Sequence, residues 1–386
     1  MTPSARYSAA IIILNRIMVG APAERELTSW ARSNRFAGSK DRAAIRDIVY
    51  DCIRNLRSYG YISGLEGARG VLIGRLLSRK EEISLIFNSQ GYAPTSLSDD
   101  EKKIVYAKKA CMPNAVQMDI PDWIDKKFGS IYDYDLLKSR APIDIRVNLK
   151  KISIEAVISE LQKDGIEAYR LDFVKSAIRV DGETRKIPQT KLYLDGFIEL
   201  QDAGSQALVS ELNCPERGTV LDYCAGGGGK TLALASIIPN DVSLSAYDKS
   251  EIRLKELKLR ASRAGINVKL LDNDPVKKNQ KYDLVIIDVP CTGSGSWRRS
   301  PDAKWKLTED RLEDLIKIQF EILQNTSKLV ATGGALAYMT CSLFDCENQV
   351  QIKNFINKNN EWKIILSKKF PLSIRSDGFY LAILSK

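Results

Sequence analysis

The chain has 386 residues, 44% of them hydrophobic, and a formal net charge of +10. This length predicts two or three domains, and the basic charge favours a polyanionic partner over a neutral one. There are seven cysteines and no histidine, which excludes histidine-based catalytic triads and histidine zinc ligands, while the odd cysteine count favours a reducing compartment over a disulfide framework.

Residues 1–87 have the apolar spacing of helices. Between positions 42 and 57 the predicted helix carries four basic residues, Arg42, Arg46, Arg54 and Arg57. Such a face suits contact of the domain with RNA phosphates, although a solvated basic face is the better explanation of any single arginine. No apolar stretch is long enough to cross a membrane, and the run at 11–14 lacks the features of a signal peptide. We therefore expect a cytoplasmic protein without a membrane partner.

Residues 88–122 are broken by proline and glycine and predict a linker with one helix near 99–110, followed by a helix at 123–137. From 142 the pattern changes to short strands and helices, with strands near 143–148, 169, 177–180 and 197–200 and helices near 154–164 and 202–212. We therefore predict three parts: an all-α domain with its linker at 1–135, a small α+β segment at 136–212, and a third domain at 213–386.

From 219 onward strands and helices alternate. Strands are predicted near 219–223, 242–248, 267–271, 282–288 and 334–341, with closing strands at 362–366 and 379–384, and helices near 230–238, 250–264, 308–331 and 346–358. This order predicts a Rossmann-like α/β domain with a parallel, doubly wound sheet. Ligands in such sheets bind beyond the carboxyl ends of the strands, so the residues that follow the strands are the candidates for a site.

Four consecutive glycines at 226–229 lie between a predicted strand and a predicted helix. The loop is not a P-loop, because that pattern requires glycine where the chain has Cys224, and it is not the dinucleotide pattern, because Thr231 replaces the last glycine. Asp248 follows the next strand, 22 residues after Gly226, where a ribose-binding carboxylate is expected. The loop predicts a nucleoside cofactor such as S-adenosylmethionine; a tight turn in another α/β protein is the alternative.

Two cysteines, Cys291 and Cys341, each follow the end of a predicted buried strand. They are expected to meet at one edge of the sheet, near Asp288, and the residues from Ser342 predict a helix start that would lower the pKa of the Cys341 thiol. A thiolate beside a methyl donor suits methylation of a pyrimidine at C5, because addition of sulfur to C6 makes C5 nucleophilic.

Four motifs carry a family resemblance: DYCAGGGGKT at 222–231, DVPCTGSG at 288–295 with the residues after it to Trp305, YMTCS at 338–342 with Glu347 and Asn348, and DGFYLA at 377–382. They resemble the RNA cytosine-5 methyltransferases, and within them the bacterial ribosomal RNA small subunit methyltransferase B group. The lead-in at 201–206 is similar too. Residues 40–50 resemble the helical antitermination-factor-NusB-like domain of that group, which implies an RNA-binding amino-terminal domain.

The resemblance implies S-adenosylmethionine as cofactor, cytosine C5 in RNA as acceptor, a covalent bond between Cys341 and C6, and no metal. Cys341 would be the nucleophile and Cys291 would assist release; the reverse assignment, as in DNA cytosine-5 methyltransferases, stays open. Asp288 and Lys230 would face the cytosine. Asp248 would bind the ribose of the cofactor, and Asp274, or alternatively Asp272, would bind the adenine. The full set of residues expected to contact the cofactor is Cys224, Ala225, Gly226, Gly227, Gly228, Gly229, Lys230, Asp248, Asp274 and Asp288.

Among substrates, the resemblance favours 16S ribosomal RNA, with transfer RNA as the alternative. A non-catalytic RNA-binding ribosome assembly factor is the candidate from another class, and DNA is not expected, because no target-recognition region interrupts the motifs. Arg298 and Arg299 are predicted to bind phosphate, while Trp297 and Trp305 would either stack on bases or pack in a core. The family usually has proline where this chain has Gly227, which predicts a less preorganised cofactor loop.

Overall fold

The computed structural model describes residues 1–129, 134–182 and 184–386. The chain forms two compact units, one of Met1–Arg140 with Trp297–Leu307 and the other of Ala141–Ser296 with Thr308–Lys386. The predicted domain bounds did not anticipate that Trp297–Leu307 would group with the helical unit. Within the described ranges, the structure contains no helix that is both long and apolar enough to cross a membrane.

The first unit is helical, as predicted. Its helices are α1 Pro3–Met18, α2 Ala23–Ser33, α3 Ser39–Arg54, α4 Leu56–Ser63, α5 Gly67–Ser78, α6 Asp99–Tyr106, α7 Asn114–Gln117 and α8 Asp122–Phe128. The apolar residues of α3 with helical spacing, including Ile45, Val49 and Cys52, are at most 1% exposed and join the core of this unit. The helix predicted to reach 137 ends at Phe128, and positions 130–133 of that prediction lie outside the described residues.

Three of the four arginines predicted to contact phosphate make contacts inside this unit instead. Arg46 pairs with Glu24 at 2.6 Å, and Arg57 pairs with Asp122 at 2.7 Å. The guanidinium of Arg54 donates to the carbonyl of Arg298. Three of the four arginines therefore already have partners within the helical unit, two of them in solvent-exposed ion pairs.

The second unit begins with a small sheet. Its strands are β1 Ile143–Val147, β2 Glu167–Arg170, β3 Ala177–Asp181 and β4 Ile198–Leu200, in the order β2-β3-β1-β4 with antiparallel pairing. The helix α9 Ile154–Lys163 packs its apolar side on this sheet, and α10 Lys191–Leu194 precedes β4. The helix α11 Ala203–Ser210 leads to the larger sheet. The predicted α+β elements of this segment are therefore present.

The large sheet has seven strands in the order β10-β11-β9-β8-β5-β6-β7. Its strands are β5 Gly218–Asp222, β6 Val242–Ala246, β7 Lys269–Leu270, β8 Tyr282–Asp288, β9 Val330–Thr340, β10 Lys363–Phe370 and β11 Phe379–Ser385. The pairs from β7 to β9 are parallel, whereas β11 runs antiparallel between β9 and β10. This confirms the predicted Rossmann-like domain. The sheet is not parallel throughout, because β10 and β11 form a hairpin that closes it and β11 therefore runs antiparallel to its neighbours.

The helices that follow the strands are α12 Gly229–Ile237, α13 Glu251–Ala264, α14 Pro275–Lys278, α16 Glu309–Ser327 and α17 Gln349–Lys358; α15 Pro301–Lys306 belongs to the helical unit. The predicted helix at 308–331 was too long, because β9 already begins at Val330. Residues 285–287 of β8 are fully buried, as expected for a central parallel strand covered on both faces.

Candidate active site

The glycine loop connects the carboxyl end of β5 to α12. Gly226 and Gly228 have positive φ values of +54° and +85°, which favour glycine. A Cβ atom at Gly228 would lie 2.2 Å from Cδ1 of the buried Leu257 on α13, so a side chain at this position requires the Leu257 side chain to shift. The loop can therefore approach α13 closely because Gly228 has no side chain.

Two arginines hold carbonyl groups of this loop. Arg260 on α13 donates to the carbonyl of Gly227 at 2.5 Å, and Arg146 on β1 donates to the carbonyl of Gly229 at 2.9 Å. Arg146 also donates to Gln201 at 2.7 Å. The small sheet and α13 thus fix the loop, and the contact at Gly227 restrains the position where the family usually has proline.

Carboxylates predicted to bind the cofactor surround the loop. Asp248 accepts hydrogen bonds from the backbone N–H groups of Gly226 and Ser250, both at 2.8 Å. Asp274 accepts from the hydroxyl of Tyr223 at 3.1 Å and caps α14. Asp272 is exposed, so Asp274 is the carboxylate that the structure brings toward the glycine loop.

Asp222 is a buried carboxyl group that was not predicted as a site residue. It is 1% exposed at the end of β5 and accepts a hydrogen bond from the Thr231 hydroxyl at 2.6 Å. Burial raises its pKa to about 7. Its Oδ1 atom is buried and has no hydrogen-bond partner within the described part of the chain, which leaves an unsatisfied polar atom beside the glycine loop.

The two cysteines of the prediction lie side by side. Cys291 follows β8 and Cys341 follows β9, and their sulfur atoms are 3.5 Å apart. The N–H of Gly295 donates to the carbonyl of Cys341 at 2.9 Å, so backbone contacts join the two loops. The parallel pairing of β8 with β9 explains this proximity, because both strands end at the same edge of the sheet.

The pKa values of the two thiols are shifted in opposite directions from that of an ordinary cysteine. The hydrogen bond from Cys291 is the main cause of the lowered pKa of Cys341, and the positive charge of Lys230 contributes. The same hydrogen bond, together with burial, raises the pKa of Cys291. Cys341 is therefore the thiol that ionises first, and Cys291 is the one that keeps its proton and donates it in the hydrogen bond.

The predicted helix start at Ser342 is wrong. A 3-10 turn covers Asp345–Glu347 and α17 begins only at Gln349. The Ser342 hydroxyl instead accepts from the N–H of Phe344 at 3.0 Å, a local turn that competes with helix capping. The pKa of Cys341 is lowered as predicted, but chiefly by its neighbouring thiol.

Lys230 and Asp288 form an ion pair beside the cysteines. Nζ of Lys230 lies 2.6 Å from Oδ2 of Asp288, with side-chain exposures of 11% and 32%. Burial lowers the pKa of Lys230, but the charge and hydrogen bond of Asp288 and the two cysteines outweigh it, so the net shift is upward. Lys230 is thus an ammonium ion, which places a cation and a carboxylate next to the nucleophile candidate.

The residues predicted to contact RNA after the Cys291 motif are largely buried. Trp297 and Arg298 are each 1% exposed, and the indole N–H of Trp305 donates to the carbonyl of Ile53 at 2.8 Å. These groups pack inside the protein. The structure therefore does not support base stacking by these tryptophans or phosphate binding by Arg298. Arg299 is half-buried.

The hydrogen bond between the thiols predicts a shift in the pH dependence of Cys341 alkylation. In the wild type the alkylation rate should rise with pH through a midpoint below that of an ordinary cysteine, since the thiolate is the reactive form. Cys291→Ala removes the donor and should move the midpoint upward, whereas Cys291→Ser retains a donor and should move it less. Iodoacetamide labelling with peptide mass spectrometry measures both; an unchanged midpoint in Cys291→Ala would contradict the assigned cause.

Two family models match the chain. A model described as 16S rRNA methyltransferase RsmB/F matches residues 209–384. A second, described as the ferredoxin-like domain of RsmF/B-like methyltransferases, matches residues 134–185, which contain the first strands of the small sheet.

Curated relatives carry names from the same group. The chain is 28% identical over 260 residues to the probable ribosomal RNA small subunit methyltransferase B of Synechocystis, covering 64% of this chain and 58% of the relative. It is 30% identical over 279 residues to ribosomal RNA small subunit methyltransferase B of Proteus mirabilis, covering 69% and 65%. The alignments thus span about three fifths to two thirds of these relatives.

Two solved structures share the fold. One, of a protein called PH0851, superposes over the full length of both chains with a TM-score of 0.79 and 24% identity. The other, a methyltransferase homologue from Pyrococcus horikoshii, has a TM-score of 0.62 and 25% identity over 70% of this chain and 97% of its own. At these identities the superpositions show that the fold is shared.

Proposed function

Since the chain belongs to the RsmB/F family of 16S rRNA methyltransferases, we propose that it transfers a methyl group from S-adenosylmethionine to C5 of a cytosine in RNA. We propose 16S ribosomal RNA as its first candidate substrate. The observation that carries the proposal is the pair of thiols 3.5 Å apart, one with a lowered pKa, beside the Lys230–Asp288 ion pair. Covalent catalysis on a pyrimidine needs these groups together.

The glycine loop fits S-adenosylmethionine. Gly226 offers open backbone, since a Cβ atom there would meet no atom nearer than 3.7 Å, and Oδ1 of Asp222 is a buried acceptor without a partner in the described ranges. In our proposal residues 224–230 line the methionine part, Asp248 binds the ribose, and Asp274, with the paired rings of Tyr223 and Tyr247, lines the adenine site. When bound, the cofactor supplies an electrophilic methyl group on a sulfonium.

Cys341 supplies the nucleophile in the proposed reaction. Its thiolate adds to C6 of the cytosine, so that a carbon–sulfur bond forms and the electrons of the C5–C6 double bond move toward N3. In our proposal the ammonium of Lys230 stabilises this charge, and the carboxylate of Asp288 accepts from the exocyclic amino group of the base. C5 thereby gains the electron density that it needs to take the methyl group.

Cys291 assists release in the same proposal. After methylation the C5–H bond breaks and water takes the proton, the electrons of that bond form the C5–C6 double bond again, and the electrons of the carbon–sulfur bond return to Cys341. The raised pKa of Cys291 keeps its thiol protonated, so its S–H can donate to the departing sulfur at the 3.5 Å separation seen here. A hydrogen bond to the leaving thiolate makes it a better leaving group.

A methyl-transfer assay tests the function. Purified protein and methyl-tritiated S-adenosylmethionine would be incubated separately with naked 16S ribosomal RNA, small ribosomal subunits and total transfer RNA, and the RNA digested to nucleosides. We expect label in 5-methylcytidine from one of the two ribosomal substrates. Label only in transfer RNA would change the substrate, and no label in any substrate would favour the non-catalytic assembly factor. Cys111→Ala, a change at an exposed cysteine, serves as the matched control and should retain full activity.

The glycine loop gives a second prediction with an internal control. Gly228→Ala should weaken S-adenosylmethionine binding about tenfold, because a left-handed residue with a side chain costs roughly 1–2 kcal/mol and the new methyl group meets Leu257 at 2.2 Å. Gly227→Ala should have little effect, since its φ is not positive and the nearest atom is the end of the flexible Glu256 side chain at 3.2 Å. Isothermal titration calorimetry measures both; equal affinities in the two variants would contradict the prediction.

A further inference from the structure

We infer that Glu347 is a positioning residue that holds the two cysteine loops together, an inference that rests on the proposed function. The Cys291 loop is defined here as residues 289–295, and the Cys341 loop as residues 341–344. Glu347 ends the 3-10 turn that follows the Cys341 loop and is 0% exposed. It contacts neither sulfur in the hydrogen-bond network, so its effect on the chemistry would act through the loops that carry them.

The carboxylate of Glu347 joins both loops. Oε1 accepts from the backbone N–H of Thr292, the residue after Cys291, at 2.9 Å, and Oε2 accepts from the Thr292 hydroxyl at 2.5 Å. Oε2 also accepts from the hydroxyl of Ser342, the residue after Cys341. One side chain therefore holds the immediate neighbours of both cysteines.

A fourth contact fixes the carboxylate itself. The amide of Gln319 on α16 donates to Oε1 of Glu347 at 2.9 Å and to the carbonyl of Pro290 at 2.9 Å. Pro290 precedes Cys291, so the Cys291 loop is held on both sides of its cysteine. The hydroxyl of Tyr338 donates to the carbonyl of Glu347 at 2.6 Å, which ties this turn to β9.

The next residue, Asn348, brackets Cys341 in the same way. Its Oδ1 accepts from the Thr340 hydroxyl at 2.6 Å, and its Nδ2 donates to the carbonyl of Ser342 at 2.9 Å. Thr340 and Ser342 flank Cys341, so its backbone has little freedom. Together, Glu347 and Asn348 restrain each cysteine through its chain neighbours, which is what a hydrogen bond between two half-buried thiols requires.

The chemistry of the donors shows which property of Glu347 matters. The four groups that it accepts from are a backbone amide, a side-chain amide and two hydroxyls, all uncharged. A glutamine has the same shape: its oxygen can accept from the two amides, and its NH₂ can donate to the two hydroxyls, which can rotate to accept. Positioning therefore survives Glu347→Gln, whereas proton transfer by Glu347 would not.

Two readouts test the inference in the full-length protein. The first is kcat and KM for RNA methylation. The second is bridging of Cys291 and Cys341 by dibromobimane, which fluoresces when it links two nearby thiols and needs no methyl-transfer activity. Cys291→Ser gives the background from the other cysteines, and Glu313→Ala, a change at an exposed residue of α16, is the matched control. Circular dichroism and thermal melting check that each variant is folded.

We expect Glu347→Ala to lower kcat about 100-fold, the effect of a misplacement near 1 Å, with little change in KM and with slow bridging. Glu347→Gln should keep the bridging rate and retain kcat within an order of magnitude of the wild type. Two outcomes would overturn the inference. In the first, both variants lose the same factor in kcat although Glu347→Gln bridges normally. In the second, Glu347→Ala has the kcat and the bridging rate of the wild type.

A milder variant covers the case in which Glu347→Ala does not fold. Thr292→Val removes one hydroxyl contact and keeps the shape of the side chain, and it should slow bridging and lower kcat by less than Glu347→Ala; wild-type values of both would contradict the inference. If the wild type methylates no RNA, the proposed function fails, and the bridging rates of the Glu347 variants still decide whether Glu347 holds the two loops.

Discussion

Cys291→Ala should accumulate a covalent protein–RNA complex that survives denaturing electrophoresis, while Cys341→Ala should form none and lose methyl transfer by on the order of 10⁴-fold or more, as expected when a covalent nucleophile is removed. The difference between the two variants follows from the opposite pKa shifts of the two neighbouring thiols. Cys341 has the lowered pKa and so provides the thiolate; Cys291 has the raised pKa and so provides the proton that helps this sulfur leave.

In the experiment, each variant is mixed with S-adenosylmethionine and with the RNA that is methylated in the methyl-transfer assay, and the covalent complex is detected by denaturing electrophoresis. Cys291→Ala/Cys341→Ala is the control for adduct formation, because it lacks both candidate sulfurs, and Cys111→Ala is the control for an unrelated cysteine. Sequencing the RNA in the adduct identifies the modified cytosine. An adduct in Cys341→Ala and none in Cys291→Ala would assign the nucleophile to Cys291, as in the DNA enzymes.

The glycine loop and the two cysteines were predictable because local signals mark them. The loop is a strand, a run of glycines and a helix in sequence, and its glycines at 226 and 228 have the backbone conformation that favours glycine. Cys291 and Cys341 each follow a buried strand, and adjacent parallel strands bring such positions to one edge. In both cases the chain's local order already determines where the residues meet.

The hydrogen-bonded partners of the site were not predictable in this way. Glu347 and Thr292 are 55 residues apart, and the periodicity of either segment carries no information about the other. The same holds for Trp305, whose indole finds the carbonyl of Ile53 across 252 residues. An aromatic and basic segment has the same composition whether it faces RNA or packs against a helix, so only the fold distinguishes the two interpretations.

Ser342 shows a third limit. Its sequence pattern is that of a helix cap, but its hydroxyl is used by the N–H of Phe344 and by Glu347. Serine side chains satisfy polar groups in turns as readily as at helix starts, and the hydroxyl of Ser342 donates to Glu347 only five residues further on. The lowered pKa of Cys341 was therefore predicted from a helix start that is not there, and its actual main cause, the neighbouring thiol, depends on tertiary structure.

Lys230→Met and Asp288→Asn should each lower kcat by about 10²–10³-fold, the usual cost of removing one electrostatic contact to a developing charge. They should nevertheless move the pKa of Cys341 in opposite directions. The positive charge of Lys230 lowers this pKa and the negative charge of Asp288 raises it. The alkylation midpoint of Cys341 should therefore rise in Lys230→Met and fall in Asp288→Asn.

This divergence separates two explanations of the ion pair. If Lys230 and Asp288 served only to adjust the thiolate, Asp288→Asn would create more thiolate at neutral pH and react faster. If they hold the cytosine ring, as we propose, both variants lose rate although the thiolate fraction of one increases. Lys230→Arg, which keeps the charge at a site built for a 2.6 Å contact with Asp288, should keep the alkylation midpoint near that of the wild type and lose part of kcat, because a guanidinium presents its donors in a different geometry. Full activity in Asp288→Asn would contradict the role of the pair in holding the base.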